Sequence, residues 1–208
     1  MEASQRNPHV SPQPDGISSR NHSLRSHLVT TAIFALTAIG LFLSVAFDSF
    51  PELLGLSKTN FWNNPLRLIL YAMPHANTMH WLRYSIPLVV CGWLIEPSLG
   101  SARTLCVGCL GCIIYGLCLI FLDNGMIIGC GGIASGLVGA LAGYIFQLRK
   151  QLQRLQMMTY TTLVVVFCLL MISFAQNTSL VVAQICAMIS GVVAVMARPS
   201  AERQVVRN

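Results

Sequence analysis

Charge is scarce in this 208-residue chain. Charged side chains make up only 10% of it, 13 basic and 7 acidic, while 54% is hydrophobic. That excludes an ordinary soluble domain, which needs far more polar surface to cover itself. Histidine is scarce as well. There are five, and the last is His80, so every hydroxyl or thiol beyond it lacks an imidazole close by in sequence. A serine hydroxyl is a weak nucleophile unless a neighbouring base takes its proton. Zinc-type spacings of cysteine with histidine or acid are also missing. Cys106, Cys109 and Cys112 run obliquely down one side of a helix without such neighbours, which fits small apolar packing residues better than ligands. No cofactor and no metal is expected.

What remains is apolar length. The mean hydropathy is +0.65, and crossing a bilayer takes about 20 apolar residues. Six such stretches are readable, at about 28–47, 79–95, 104–122, 132–148, 157–175 and 180–197. The fold class expected is therefore all-α, a polytopic membrane protein with six transmembrane helices, and the lipid bilayer is its first partner. Residues 1–27 are polar, rich in proline and serine, and read as a disordered tail; residues 198–208 read as a second polar tail. The domain proper is 28–197. Between the first two spans, 48–74 is semi-polar and aromatic and reads as lying in the membrane interface.

The net charge of +6 does not point to nucleic acid, because the basic residues sit in tails and loops beside apolar segments. Arg20 and Arg25, then Arg149, Lys150 and Arg154, then Arg198, Arg203 and Arg207 fall on one side of a six-span chain. The positive-inside rule makes that side, with both termini, cytoplasmic. The second span is unusual in carrying His80, Arg83 and Pro87 and ending at Glu96. Ionisable groups within a span should face the bundle interior or the water boundary.

In this topology the fourth and sixth spans both start at the outer face, so Ser135 and Gln184 lie at similar depth. The fourth span carries Gly132/Gly136 and Gly139/Gly143; the sixth carries Ala183, Ala187 and Gly191. Small residues four apart let helix backbones approach closely in lipid, whether these two spans meet each other or some other helix. Contact between them would make Ser135 and Gln184 neighbours. Cys130 and Cys186 show no basic partner that would turn either into a thiolate nucleophile.

Several segments resemble the rhomboid family of six-helix intramembrane serine proteases. Asn64-Pro65-Leu66-Arg67 followed by His75-Ala76-Asn77-Thr78-Met79-His80-Trp81-Leu82 is similar to the family's entry into its second helix. Gly92-Trp93-Leu94-Ile95-Glu96-Pro97-Ser98-Leu99-Gly100 resembles that helix's end. Ser135-Gly136-Leu137-Val138-Gly139-Ala140-Leu141 resembles the nucleophile segment, and Ala183-Gln184-Ile185-Cys186-Ala187 with Gly191 resembles the sixth helix. The resemblance implies Ser135 at the nucleophile position, His80 at the oxyanion-hole position, Gln184 at the position of the general-base histidine and Tyr84 at that of an oxyanion asparagine. Gly139 stands where the family often has a tyrosine stacked on the base, and Ile133 replaces the first motif glycine.

Those departures set the function expected. A glutamine amide is not a base at neutral pH. Losing the base of a serine hydrolase costs about four to six orders of magnitude in rate, and losing an oxyanion donor on the order of a hundredfold. Three readings follow: a pseudoprotease that binds transmembrane segments of client proteins without cutting them, a divergent active serine endopeptidase using Ser135, and a structural or assembly subunit of a membrane complex.

Overall fold

A computed structural model describes residues 27–123, 125–173, 175 and 177–197. The two tails read from the sequence lie outside the described residues, apart from His27. The described chain runs α1 (Leu28–Ala46), three short helices α2 (Phe50–Leu54), α3 (Lys58–Phe61) and α4 (Arg67–Leu70), then five long ones: α5 (Thr78–Leu99), α6 (Ser101–Leu122), α7 (Gly131–Leu148), α8 (Arg154–Ser173) and α9 (Thr178–Met196). It is an all-α, multi-pass membrane protein. The long helices follow the six apolar stretches to within a few residues, because each stretch must satisfy its own backbone inside hydrocarbon.

Five helices are long and apolar enough to cross a membrane: α1, α6, α7, α8 and α9. α5 has the length, 22 residues, but His80, Arg83 and Glu96 dilute its apolar character. It is nevertheless packed into the bundle, against α1 on one side and α7 on the other. α7 is the central helix. It packs against α5, α6, α8 and α9, and 61% of its most apolar stretch is buried, against 11% for α8.

Polar contacts tie α1, α5, α6, α7 and α9 together at two ends. At one end Glu96 of α5 meets the start of α1, Ser98 meets Tyr144, and the Gln147 amide donates to the Val195 carbonyl. At the other end Cys130 meets His75, the Asn177 amide donates to Asp123, and the Ser179 hydroxyl donates to the Leu122 carbonyl. We call these the glutamate end and the loop end. Gly100 alone separates α5 from α6 and holds φ +81, a conformation that would strain any residue with a Cβ.

The small residues do their work at the centre. A Cβ on Gly139 would collide with the Met188 carbonyl of α9, and one on Gly191 with the Gly136 carbonyl of α7. Gly143 lies over Val192, where a Cβ would sit 3.2 Å from its carbonyl oxygen. The fourth and sixth spans therefore do touch, through Gly136, Gly139, Gly143 and Gly191. Gly132 turns elsewhere. A Cβ there would sit 2.8 Å from both Tyr115 Cβ and the Tyr71 hydroxyl, so its packing partners are α6 and the loop end. Ala183 and Ala187 are fully buried in the second hydrophobic cluster, with Cys112, Tyr115 and Leu119.

The 48–74 stretch is more than an interfacial rider. Leu56 pairs with Ile127 in an isolated antiparallel bridge, and Leu56 and Tyr71 are wholly buried. The Tyr71 hydroxyl donates to the Cys112 carbonyl at 2.7 Å, and its own carbonyl accepts from Gly129 N–H. Two buried anchors, Leu56 and Tyr71, are invisible to a reading that scores only average polarity.

Candidate functional site

The loop end holds a cavity of about 300 Å³, lined among others by His80, Arg83, Tyr84, Tyr115, Asp123 and Asn177. α5 enters it correctly capped: the Asn77 side chain accepts from the His80 backbone N–H at 2.8 Å. α9 enters the same way, with Asn177 accepting from Leu180 N–H at 2.9 Å. The His80 ring sits edge-on to Tyr84, centroids 5.4 Å apart, and to His75 at 5.7 Å. His80 is therefore at the cavity wall, half-buried.

Ser135 is not on that wall. It is 0% exposed, one turn inside α7, and its hydroxyl donates to the Met171 sulfur of α8 at 3.7 Å. A thioether is a weak acceptor and no base at all. Gln184 is equally buried. Its amide nitrogen donates to the Tyr84 hydroxyl at a long 3.4 Å, and its amide oxygen is buried without a hydrogen-bond partner among the described residues. The helices that carry Ser135 and Gln184 touch, yet the two side chains do not hydrogen-bond each other. Tyr84 and Gln184 face one another instead.

Gly139 has no room for a side chain. The backbone of α9 occupies the space its side chain would need. A tyrosine at this position is incompatible with the helix spacing observed.

Residues that hold a Rhomboid domain model cover 62–199 of the chain. The chain belongs to the rhomboid family. No curated protein and no solved structure matches it. In this bundle the central helix α7 is glycine-rich and carries Ser135. The bundle brings neither imidazole of the loop end to the serine hydroxyl.

His75 is a structural group. Its ring is buried. Nδ1–H donates to the Met73 carbonyl at 2.8 Å, and Nε2 accepts from Cys130 N–H at 3.2 Å. Burial holds this imidazole down to about 4, against the opposing pull of the Met73 bond. It is neutral at physiological pH and ties the start of α7 to the segment before α5.

Cys130 stands beside an imidazole, its Sγ 3.4 Å from His75 Nε2, a neighbour 55 positions away in sequence. It does not make a nucleophile, because burial pushes the thiol up to about 12 and the residue is inaccessible. Cys186 is half-buried on α9. Among the described residues, no three His, Cys, Asp or Glu side chains are grouped to hold a metal ion.

Proposed function

We propose that this rhomboid is a non-cleaving member that binds the transmembrane segments of client proteins. The observation that carries the reading is the fate of the serine hydroxyl: it is spent on the Met171 sulfur, while Gln184 is spent on Tyr84. Proteolysis needs a base within hydrogen-bond reach of the nucleophile, even allowing for loose geometry in a resting site. Recognition in lipid needs only packing faces. One such face is a groove between α1 and α5, about 440 Å³, lined by Phe34, Leu82, Ile86, Val89 and Val90 between Trp81 and Trp93. Tryptophans favour the membrane interfaces, so a client helix lying between them would be at hydrocarbon depth.

In this reading α5 is a sixth crossing, and the glutamate end, with both termini, is cytoplasmic. The basic residues Arg149, Lys150 and Arg154 that follow α7 support that orientation. The alternative of an active endopeptidase would need a titratable nitrogen on Ser135. His75 is committed at both ring nitrogens and His80 faces the cavity, so no observation favours it.

The test uses the purified full-length chain in bilayers. A panel of rhomboid substrates and a fluorophosphonate probe are added to the wild type and to Ser135→Ala. Equal absence of cleavage and labelling is expected in both, together with photo-crosslinking of an apolar client helix that weakens on Val89→Trp. Cleavage or labelling that vanishes with the Ser135 hydroxyl overturns the reading. Unaltered function with no client crosslink would favour the assembly-subunit reading.

A further inference from the structure

We propose that the Tyr84 ring is a plug that closes the passage between the loop-end cavity and Ser135, so that this serine lacks access as well as a base. The inference concerns access alone and stands whether or not clients are bound.

Four observations meet at one point. Tyr84 lines the cavity and is nonetheless only 4% exposed, so most of its ring lies below the cavity floor. A Cβ placed on Gly131 would touch that ring at 3.3 Å, and Gly131 is four residues, about one turn, ahead of Ser135 on α7. The ring therefore rests on α7 one turn ahead of the serine, towards the cavity. Tyr115 closes beside it, its hydroxyl 3.4 Å from the same Gly131 position. On the far side, Gln184 donates to the Tyr84 hydroxyl and keeps the ring in place. Ser135 is 0% exposed beneath them and is absent from the cavity wall.

Size decides the matter. A side chain as short as asparagine would end before reaching the Gly131 face and would leave the volume of an aromatic ring open above Ser135. Only a residue as long as tyrosine spans from α5 to α7 and also meets Gln184 on α9. The glycine at 131 leaves the ring its room, since a Cβ there would press on it at 3.3 Å.

The experiment reads access directly. S135C is made in the full-length chain, purified in detergent, and treated with a small water-soluble methanethiosulfonate. Modification of position 135 is quantified by peptide mass spectrometry against a fully denatured sample, which separates it from the eight native cysteines. S135C alone is expected to react at least a hundredfold more slowly than when denatured. Adding Tyr84→Asn is expected to speed the reaction at least tenfold, and adding Tyr84→Phe, which keeps the ring and loses only the hydroxyl, to leave it slow. If Tyr84→Asn aggregates, Tyr84→Val makes the same comparison. Fast native labelling of S135C overturns the plug, as does slow labelling in a folded Tyr84→Asn or Tyr84→Val protein, or equal opening by Tyr84→Phe. None of these outcomes bears on whether the wild type cuts clients, which the Ser135→Ala comparison decides.

Discussion

The two ends of this bundle treat buried polar groups in opposite ways. At the glutamate end, Glu96 is almost wholly buried and fully employed. One oxygen accepts from Val29 N–H and the Ser101 hydroxyl, at 2.9 and 2.8 Å; the other accepts from Thr30 N–H and its hydroxyl, at 2.9 and 2.6 Å. A carboxylate supplied by α5 thus caps the first turn of α1, where the helix dipole favours negative charge. At the loop end, Ser135 leans on a sulfur and Gln184 leaves its amide oxygen unpaired. A group kept for stability is satisfied completely, since an orphaned polar atom in low dielectric costs about 1–3 kcal/mol. A group left half-satisfied at the heart of a fold contributes little to holding it together. Glu96 reads as architecture; in the function we propose, the Ser135–Gln184–Tyr84 cluster is the remnant of a site.

The contrast breaks most violently if space rather than polarity is altered at the centre of the core. Gly139→Leu drives a side chain into the Met188 carbonyl, and we expect a loss of at least about 4 kcal/mol, seen as aggregation on size-exclusion chromatography. Next comes Glu96→Leu. It strands two backbone N–H groups and two hydroxyls, and should lower stability by about 3 kcal/mol, read as a fall in melting temperature in detergent. Glu96→Gln should recover part of that loss, because one acceptor oxygen remains.

Acid sharpens the comparison from the loop end. Burial depresses the His75 imidazole to about 4 from an ordinary 6.5, so between those values the unfolded chain binds more protons than the folded one. The stability tied to neutral His75 is complete above about pH 6.5 and is lost as pH falls towards 4, by up to about 3 kcal/mol. Melting temperature should drop more steeply over that window in the wild type than in His75→Gln. The smallest effects belong to the remnant itself. Gln184→Leu should change stability by less than about 1 kcal/mol, in either direction, and Ser135→Ala by less than about 0.5 kcal/mol. A large destabilisation from either would mean that this cluster, like Glu96, is structural.

Much of the bundle was legible in one dimension. The apolar stretches located the long helices because lipid leaves a backbone no partner but its own helix. The glycines of α7 and α9 announced a close crossing, and Gly136, Gly139, Gly143 and Gly191 make it. Gly132 faced α6 instead, since a four-residue period names a helix face but not the helix that will cover it. The 48–74 segment was harder. Its two buried anchors are single residues, Leu56 and Tyr71, and average hydropathy does not detect a single anchor.

By itself, then, the order of residues determined which segments form long apolar helices, which family the chain belongs to, and that no histidine follows His80. Those are properties of composition along a line. Only the folded bundle decided that Ser135 would turn to Met171, that Gln184 would turn to Tyr84, and that His75 would find Cys130 across 55 positions of chain. Hydrogen bonds act over about 3 Å, and which groups come within that reach is settled by helix rotation and depth, not by their spacing in sequence.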